Sequence, residues 1–129
     1  VVGIFMNMLR HQDVVQVKGK LSRFRDLIYI DDVIQGWDLC LHSEAHNQIL
    51  NLGTGKKTTY SELINLIAKT LGKSDSFRLE ELPGTPGDMM GCFADMGKTR
   101  KYLSYVPKVE LEQGVKTMWD WIRNNEEAS

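Results

Sequence analysis

The 129-residue sequence has few cysteines and histidines, no excess of either charge and no long hydrophobic run. Its two cysteines, Cys40 and Cys92, lie far apart, so neither a Cys-x-x-Cys zinc cluster nor a disulfide framework can be built from them. The three histidines include one i, i+4 pair, His42 and His46, a spacing that ligates metal on a helix. No third ligand accompanies the pair and the apolar pattern has ended by then, so a solvated loop is expected there and no metal. With 16 basic against 17 acidic side chains the net charge is −1, which gives no global attraction to nucleic acid or to an anionic membrane. No stretch approaches the roughly 20 apolar residues of a membrane-spanning helix. The first ten residues lack the charged and long apolar regions of a secretory leader, and a reduced, cytoplasmic setting is expected. The opening Val1-Val2-Gly3, without Met or a helix cap, reads as a chain cut inside a larger protein.

What is present is the composition of a soluble globular fold: 42% hydrophobic and 26% charged residues, in a length suited to one domain. Ile4, Phe5, Met8 and Leu9 mark one face of a short helix, and Val14, Val15 and Val17 a short strand. Leu27 to Ile30 reads as a second strand. Asp31 and Asp32 then open a helix, where carboxylates complement the first-turn N–H groups; its spacing predicts burial of Val33, Ile34, Trp37 and Leu41. After a polar loop, Ser43 to Asn47, a third strand is expected over Gln48 to Leu52. Thr59 with Glu62 is a capping-box pattern. The helix behind it carries Leu63, Ile64, Ile67 and Leu71 and stops at Gly72. Phe77 and Leu79 alternate as a strand does. Asp95 opens a helix ending near Tyr102 and Leu103. Leu111, Val115, Met118, Trp119 and Ile122 form the last apolar helical stripe, before a polar tail from Asn124 to Ser129. Strands alternating with amphipathic helices predict an α/β fold. Three clear strands make a thin sheet, so an exposed apolar face that packs on a missing partner is expected.

Several patterns bear on chemistry. Gly53-Thr54-Gly55-Lys56-Lys57-Thr58 imitates a phosphate loop, but the first required Gly falls at Leu50 and the required hydroxyl at Lys57. A tight strand-to-helix turn is the better reading. No Gly-x-Ser-x-Gly elbow supports a serine hydrolase. Arg23-Phe24-Arg25-Asp26 sets two guanidinium groups around an aromatic ring. Arg binds phosphate bidentately, and Phe24 could stack on a base or plug the core; composition alone favours the plainer alternative, an Arg25–Asp26 surface pair. The loop Pro83-Gly84-Thr85-Pro86-Gly87-Asp88 is stiffened by its prolines and opened to close backbone approach by its glycines, as either a binding loop or a connector.

The order of these motifs is more specific than any one of them. Arg25-Asp26-Leu27-Ile28-Tyr29-Ile30-Asp31-Asp32-Val33 resembles the RDFIYVDDV block of the NAD-dependent epimerase/dehydratase family, the extended short-chain dehydrogenases acting on nucleotide sugars. Asn51-Leu52-Gly53-Thr54-Gly55 resembles the family's N-[IL]-G-[TA]-G turn. Pro86-Gly87-Asp88, Ala94-Asp95, Leu103 to Pro107 and Leu111 to Trp121 resemble its closing pattern of GD, AD, LGY-x-P and L-x-x-G-x-x-x-x-x-x-W, with Ser104 in place of the Gly. The resemblance spans nearly the whole chain, and UDP-hexose 4-epimerases are the type it most resembles. It implies that residues 1–129 form a single small C-terminal substrate-binding domain with few short strands and amphipathic helices, the Rossmann cofactor domain being absent from this chain. The family's Tyr-x-x-x-Lys pair is missing too: Tyr29, Tyr60, Tyr102 and Tyr105 are followed four positions on by Val33, Ile64, Val106 and Val109. The implied function is the nucleotide-sugar-binding portion of an NAD-dependent epimerase or dehydratase. In the intact enzyme a tyrosinate takes a hydroxyl proton as hydride leaves to NAD, while the fragment alone is inactive and binds no cofactor.

The resemblance also assigns residues. Arg25 matches the Arg that contacts the nucleotide diphosphate, and Gly19 the Gly before it at the end of the strand. Asp88 matches an Asp that the family places near the nucleotide ribose or in its supporting shell. Thr85 stands where many members have a second phosphate-binding Arg, a loss of charge for which Arg23 could compensate. Cys92 stands where the epimerases have a residue gating the sugar pocket; a small residue there leaves room for an N-acetyl group. The implied partners are a nucleotide-diphosphate sugar and the missing Rossmann domain, with no nucleic acid and no membrane, and self-association left open. Two other readings compete: a noncatalytic binding or regulatory module of the same fold, and a single-strand RNA or phosphate binder using Arg23, Phe24 and Arg25.

Overall fold

Amphipathic spacing in the sequence is realised as five helices and four short strands in the computed structural model, which describes residues 1–41 and 45–126. Of the sequence expectations, His42, the first two residues of the 43–47 loop and the last three of the tail lie outside that range. Helix α1 (Val2–His11) leads into strand β1 (Val14–Lys18), and strand β2 (Phe24–Arg25) precedes helix α2 (Ile30–Leu41). Strand β3 (Thr58–Thr59) runs into helix α3 (Tyr60–Thr70), followed by strand β4 (Arg78–Leu82) and helices α4 (Gly97–Leu103) and α5 (Leu111–Glu126). β1 and β4 pair in parallel, from Val14 opposite Arg78 to Lys18 opposite Leu82. β2 and β3 pair antiparallel, Phe24 with Thr59 and Arg25 with Thr58. This is the small α/β fold with few strands that the sequence predicts.

The main core forms where α1, α3 and α5 pack over β1. Val15 and Val17 point inward from β1 toward Met6, Leu9, Ile64 and Ile67. α3 starts with the capping box: the Thr59 hydroxyl accepts the Glu62 N–H at 3.1 Å, and the Glu62 carboxylate accepts the Thr59 N–H at 2.7 Å. Gly72, at φ +71°, lets the chain turn away at its end. A second cluster around Met96, Leu103 and Tyr105 packs α4 against the segment containing Leu50 and Leu52.

The structure corrects several expectations. Leu27–Ile30 and Gln48–Leu52 are not strands. An extended segment becomes a strand only with a ladder partner for its N–H and C=O groups, and neither has one among the described residues. On α1 the buried face is Phe5, Met6 and Leu9, because Ile4 and Met8 turn to line a groove beside β1. On α2 the buried residues are Asp32 and Gly36, not the apolar stripe: Trp37 is 63% and Leu41 75% exposed, and Ile34 is exposed with them. Gly36 faces Leu52 so closely that a Cβ there would stand 2.5 Å from its Cδ2. Among the described residues the opposite, apolar side of α2 stays exposed at Ile34, Trp37 and Leu41. Asp32 does not cap its own helix; its carboxylate accepts the Lys108 and Val109 N–H groups at 2.8 and 3.0 Å. α4 begins at Gly97, whose N–H is accepted by Asp95 at 2.9 Å from just outside the helix. Among the described residues no helix is long and apolar enough to cross a membrane, and no cluster of three metal-ligating side chains occurs.

Candidate functional site

In a parallel pair the carboxyl ends of the strands open onto a crevice where ligands bind. Here β1 and β4 end at Lys18 and Leu82, beside a groove of about 480 Å3 lined by α1 on one side and by Arg23, Tyr60, Thr85 and Asp88 on the other. That volume suits a small molecule of nucleotide size.

Arg23 is the centre of the groove's polar wall. Its side chain is only 10% exposed, and its Nη1 donates at 2.9 Å to the Lys18 carbonyl and at 2.9 Å to the Asp88 carboxylate. Its Nε is buried without an acceptor. Its guanidinium carbon lies 5.3 Å from the centre of the Tyr60 ring, which is held edge-on by Phe5 at 5.6 Å. Gly19 is required beneath it. Its φ is +87°, and a Cβ there would stand 2.6 Å from Arg23 Nη1. The predicted residues Gly19, Arg23, Thr85 and Asp88 are thus brought together.

The other two lie apart from them. Arg25 approaches the same Tyr60 ring at 5.8 Å and donates to the Phe24 carbonyl at 2.7 Å, but does not line the groove. Cys92 is exposed and follows Gly91, which bridges to Phe24. Phe24 neither plugs the main core nor stands free: it faces Phe93 at 6.5 Å, and the Lys57 ammonium sits over both rings at 5.1 and 4.5 Å.

Asp26 forms no surface pair with Arg25. Its Oδ1 accepts the Thr54 N–H at 2.9 Å and the Thr54 hydroxyl at 2.5 Å; its Oδ2 accepts Gly55 N–H at 2.9 Å and Ala94 N–H at 3.1 Å. Burial pushes this carboxyl up, but the hydrogen bonds from Thr54, Ala94 and Gly55 outweigh it and hold it below the usual carboxylate range. The Gly53-Thr54-Gly55 turn therefore does cradle an anion, and that anion is the protein's own. Sequence reading missed this hub, because Asp26 lies 28 and 29 positions before the N–H groups of the turn that it accepts. Tyr60 was missed as well, since its position at the head of α3 looks like ordinary core.

The chain's own residues do not fit NAD. The turn that could hold a pyrophosphate is filled by Asp26. Burial, then the charges of Asp32 and Asp26, push the Tyr105 phenol up, opposite to what a tyrosinate base needs. A second groove of about 430 Å3, between residues 27–30 and α5, is lined almost wholly by apolar groups such as Ile28, Leu111, Met118 and Trp121. It lacks the convergent polar groups of a chemical site.

No family model matches the chain. Similarity to individual proteins is clear. The UDP-glucuronate 4-epimerase of Thermodesulfobacterium geofontis is 27% identical over 122 residues, 94% of this chain and 37% of that protein. The structure of UDP-glucose 4-epimerase from Thermotoga maritima with UDP-glucose superposes with a TM-score of 0.85 at 31% identity, covering 96% of this chain and 39% of that one. The UDP-glucuronic acid 4-epimerase of Bacillus cereus, in complex with UDP-glucuronic acid and NAD, gives a TM-score of 0.81 at 26% identity, covering 95% of this chain and 38% of that one. The chain spans between 31% and 39% of the length of its first two relatives, and the matched part is the C-terminal portion.

Proposed function

We propose that this chain, which matches the C-terminal portion of NAD-dependent nucleotide-sugar epimerases, is the nucleotide-sugar-binding part of such an enzyme and holds a nucleoside diphosphate in the groove at the ends of β1 and β4. The observation that carries this reading is the groove itself. It combines a buried arginine, an aromatic ring and an acidic side chain at the carboxyl ends of a parallel pair. The arginine supplies charge for phosphate, and Gln16, Val17 and Lys18 offer a surface for a base.

Residues 1–129 act in this reading as one substrate-binding unit. The cofactor-binding domain that completes it carries the NAD fingerprint and the Tyr-x-x-x-Lys pair, and packs on the exposed apolar face of α2. When bound there, NAD supplies reversible hydride acceptance; the present residues contribute binding and orientation of the sugar nucleotide. The setting is cytoplasmic, where Cys40 and Cys92 stay as free thiols. Arg25 and Cys92 join the site from the resemblance: Arg25 at the diphosphate, Cys92 beside the sugar. Cys92→Tyr in the complete protein lowers use of N-acetylated UDP-hexoses relative to UDP-hexoses; an unchanged ratio removes Cys92 from the site.

The direct test is a titration of the chain with UDP, followed by backbone NMR. Shifts are expected at Val17, Lys18, Tyr60 and Asp88. Saturating UDP that perturbs none of these positions refutes the assignment.

A further inference from the structure

We propose that Lys57, together with Phe24, Gly91 and Phe93, is a positioning residue for the sugar end of the site: the four groups lock residues 91–93 in the register that turns Cys92 toward the ligand. The proposal rests on the reading of Cys92 given above and adds to it the device that orients this side chain.

Successive side chains of an extended chain point to opposite sides. On β2, Arg25 lies against Tyr60, whose ring lines the groove. Phe24, its neighbour, takes the other side, where its ring meets Phe93 at 6.5 Å. Gly91 forms a parallel bridge to Phe24, and the Phe24 N–H donates to the Met90 carbonyl at 3.2 Å. Gly91 and Phe93 therefore share the side of Phe24, and Cys92, between them, takes the side of Arg25 and Tyr60. A slip of one residue reverses this and sets Phe93 toward the ligand in place of the smaller cysteine.

Two features oppose that slip. The Phe24 ring fills the space over Gly91, where a Cβ would stand 2.6 Å from its Cδ2. Neither Met90 nor Cys92 fits beneath the ring. The Lys57 ammonium closes the other side, 5.1 Å from the centre of the Phe24 ring and 4.5 Å from that of Phe93. Lys56, Lys69 and Lys116 each pair with a carboxylate. Among the described residues the Lys57 ammonium has no such pair, and its charge is met by the two ring faces. A cation shared by two rings ties the residue before β3 to both β2 and the segment that carries Cys92.

Lys57 is exposed, so its replacement leaves the fold intact. In the 129-residue chain, amide hydrogen exchange at Phe24, read by NMR, speeds up about two- to fivefold in Lys57→Ala, the worth of an exposed cation–π contact. Lys57→Arg, which keeps a cation over the rings, restores the original rate. In the complete protein, Lys57→Ala and Gly91→Ala both lower kcat/KM for N-acetylated UDP-hexoses relative to UDP-hexoses, because Phe93 then competes for the place of Cys92. Lys57→Arg keeps the original ratio. Should Gly91→Ala fail to fold, Lys57→Ala decides alone. The proposal is overturned if the Phe24 amide of Lys57→Ala exchanges as in the original chain. It is overturned equally if exchange speeds up and the sugar ratio holds while Cys92→Tyr shifts that ratio; the reading of Cys92 then stands and the lock is structural only. If neither Cys92→Tyr nor Lys57→Ala shifts the ratio, the reading of Cys92 fails and the proposal fails with it.

Discussion

Asp26→Asn is isosteric, yet the structure makes it costly. Each carboxylate oxygen of Asp26 accepts two hydrogen bonds, at 2.5 and 2.9 Å on one and 2.9 and 3.1 Å on the other. An amide keeps one oxygen and turns an NH2 toward the other two donors. Two N–H or O–H groups are then stranded, each at roughly 1–3 kcal/mol. The site is only partly buried, so the lower half of that range applies to each group, and the expected loss for the two is about 2–4 kcal/mol. Against a total stability of about 5–15 kcal/mol for a domain, a urea midpoint measured by circular dichroism resolves it easily. The pH dependence gives a second readout. The folded-state pKa of Asp26 is depressed, so its contribution is fully present above the unfolded value near about pH 4 and is lost as pH falls through the folded value. Asp26→Asn therefore flattens the acid limb of the stability profile. Glu62 and Asp120 are depressed too, so the limb shrinks and does not vanish. A stability change below about 0.5 kcal/mol, the range of an ordinary surface substitution, with an unaltered acid limb, refutes the role given to this carboxylate.

Three further outcomes follow from single positions. Gly19→Ala places a methyl on a left-handed backbone against Arg23 and lowers stability by about 1–2 kcal/mol; an unchanged thermal midpoint contradicts the packing described. Ser104 closes α4 at φ +49°, where a side chain costs energy that glycine avoids, so Ser104→Gly raises stability by about 1 kcal/mol in urea denaturation, and a loss contradicts it. Ile34→Ser with Trp37→Ser on exposed α2 lowers the fluorescence of a dye that binds exposed apolar surface while leaving the circular dichroism spectrum intact; equal dye fluorescence of both proteins contradicts the exposure described.

Helices were legible where apolar periodicity and caps agreed. Thr59 and Glu62 fixed the start of α3 because both halves of a capping box lie within four residues. Strands were less so, since Gln48–Leu52 has a strand-like pattern and no ladder to join. The apolar stripe of α2 was read correctly as apolar and wrongly as buried. Spacing reports that a face needs a partner, not that the same chain supplies one. In the site, Gly19, Arg23, Thr85 and Asp88 were named from sequence order, but the pairing of Arg23 with Asp88 joins residues 65 positions apart and has no local signature. The internal anion at the Gly53–Gly55 turn was invisible for the same reason, its carboxylate coming from 28 and 29 positions away.

The parallel register that sets residue 14 opposite residue 78 governs when the groove comes into being. Nothing local can nucleate it. The two strands meet only after the intervening helices have found their places, and closing so long a loop is entropically slow. A chain that stops before β4 has α1 and β1 but lacks Leu82, Thr85 and Asp88 from the groove's lining. The complete groove therefore depends on a contact between segments 64 residues apart.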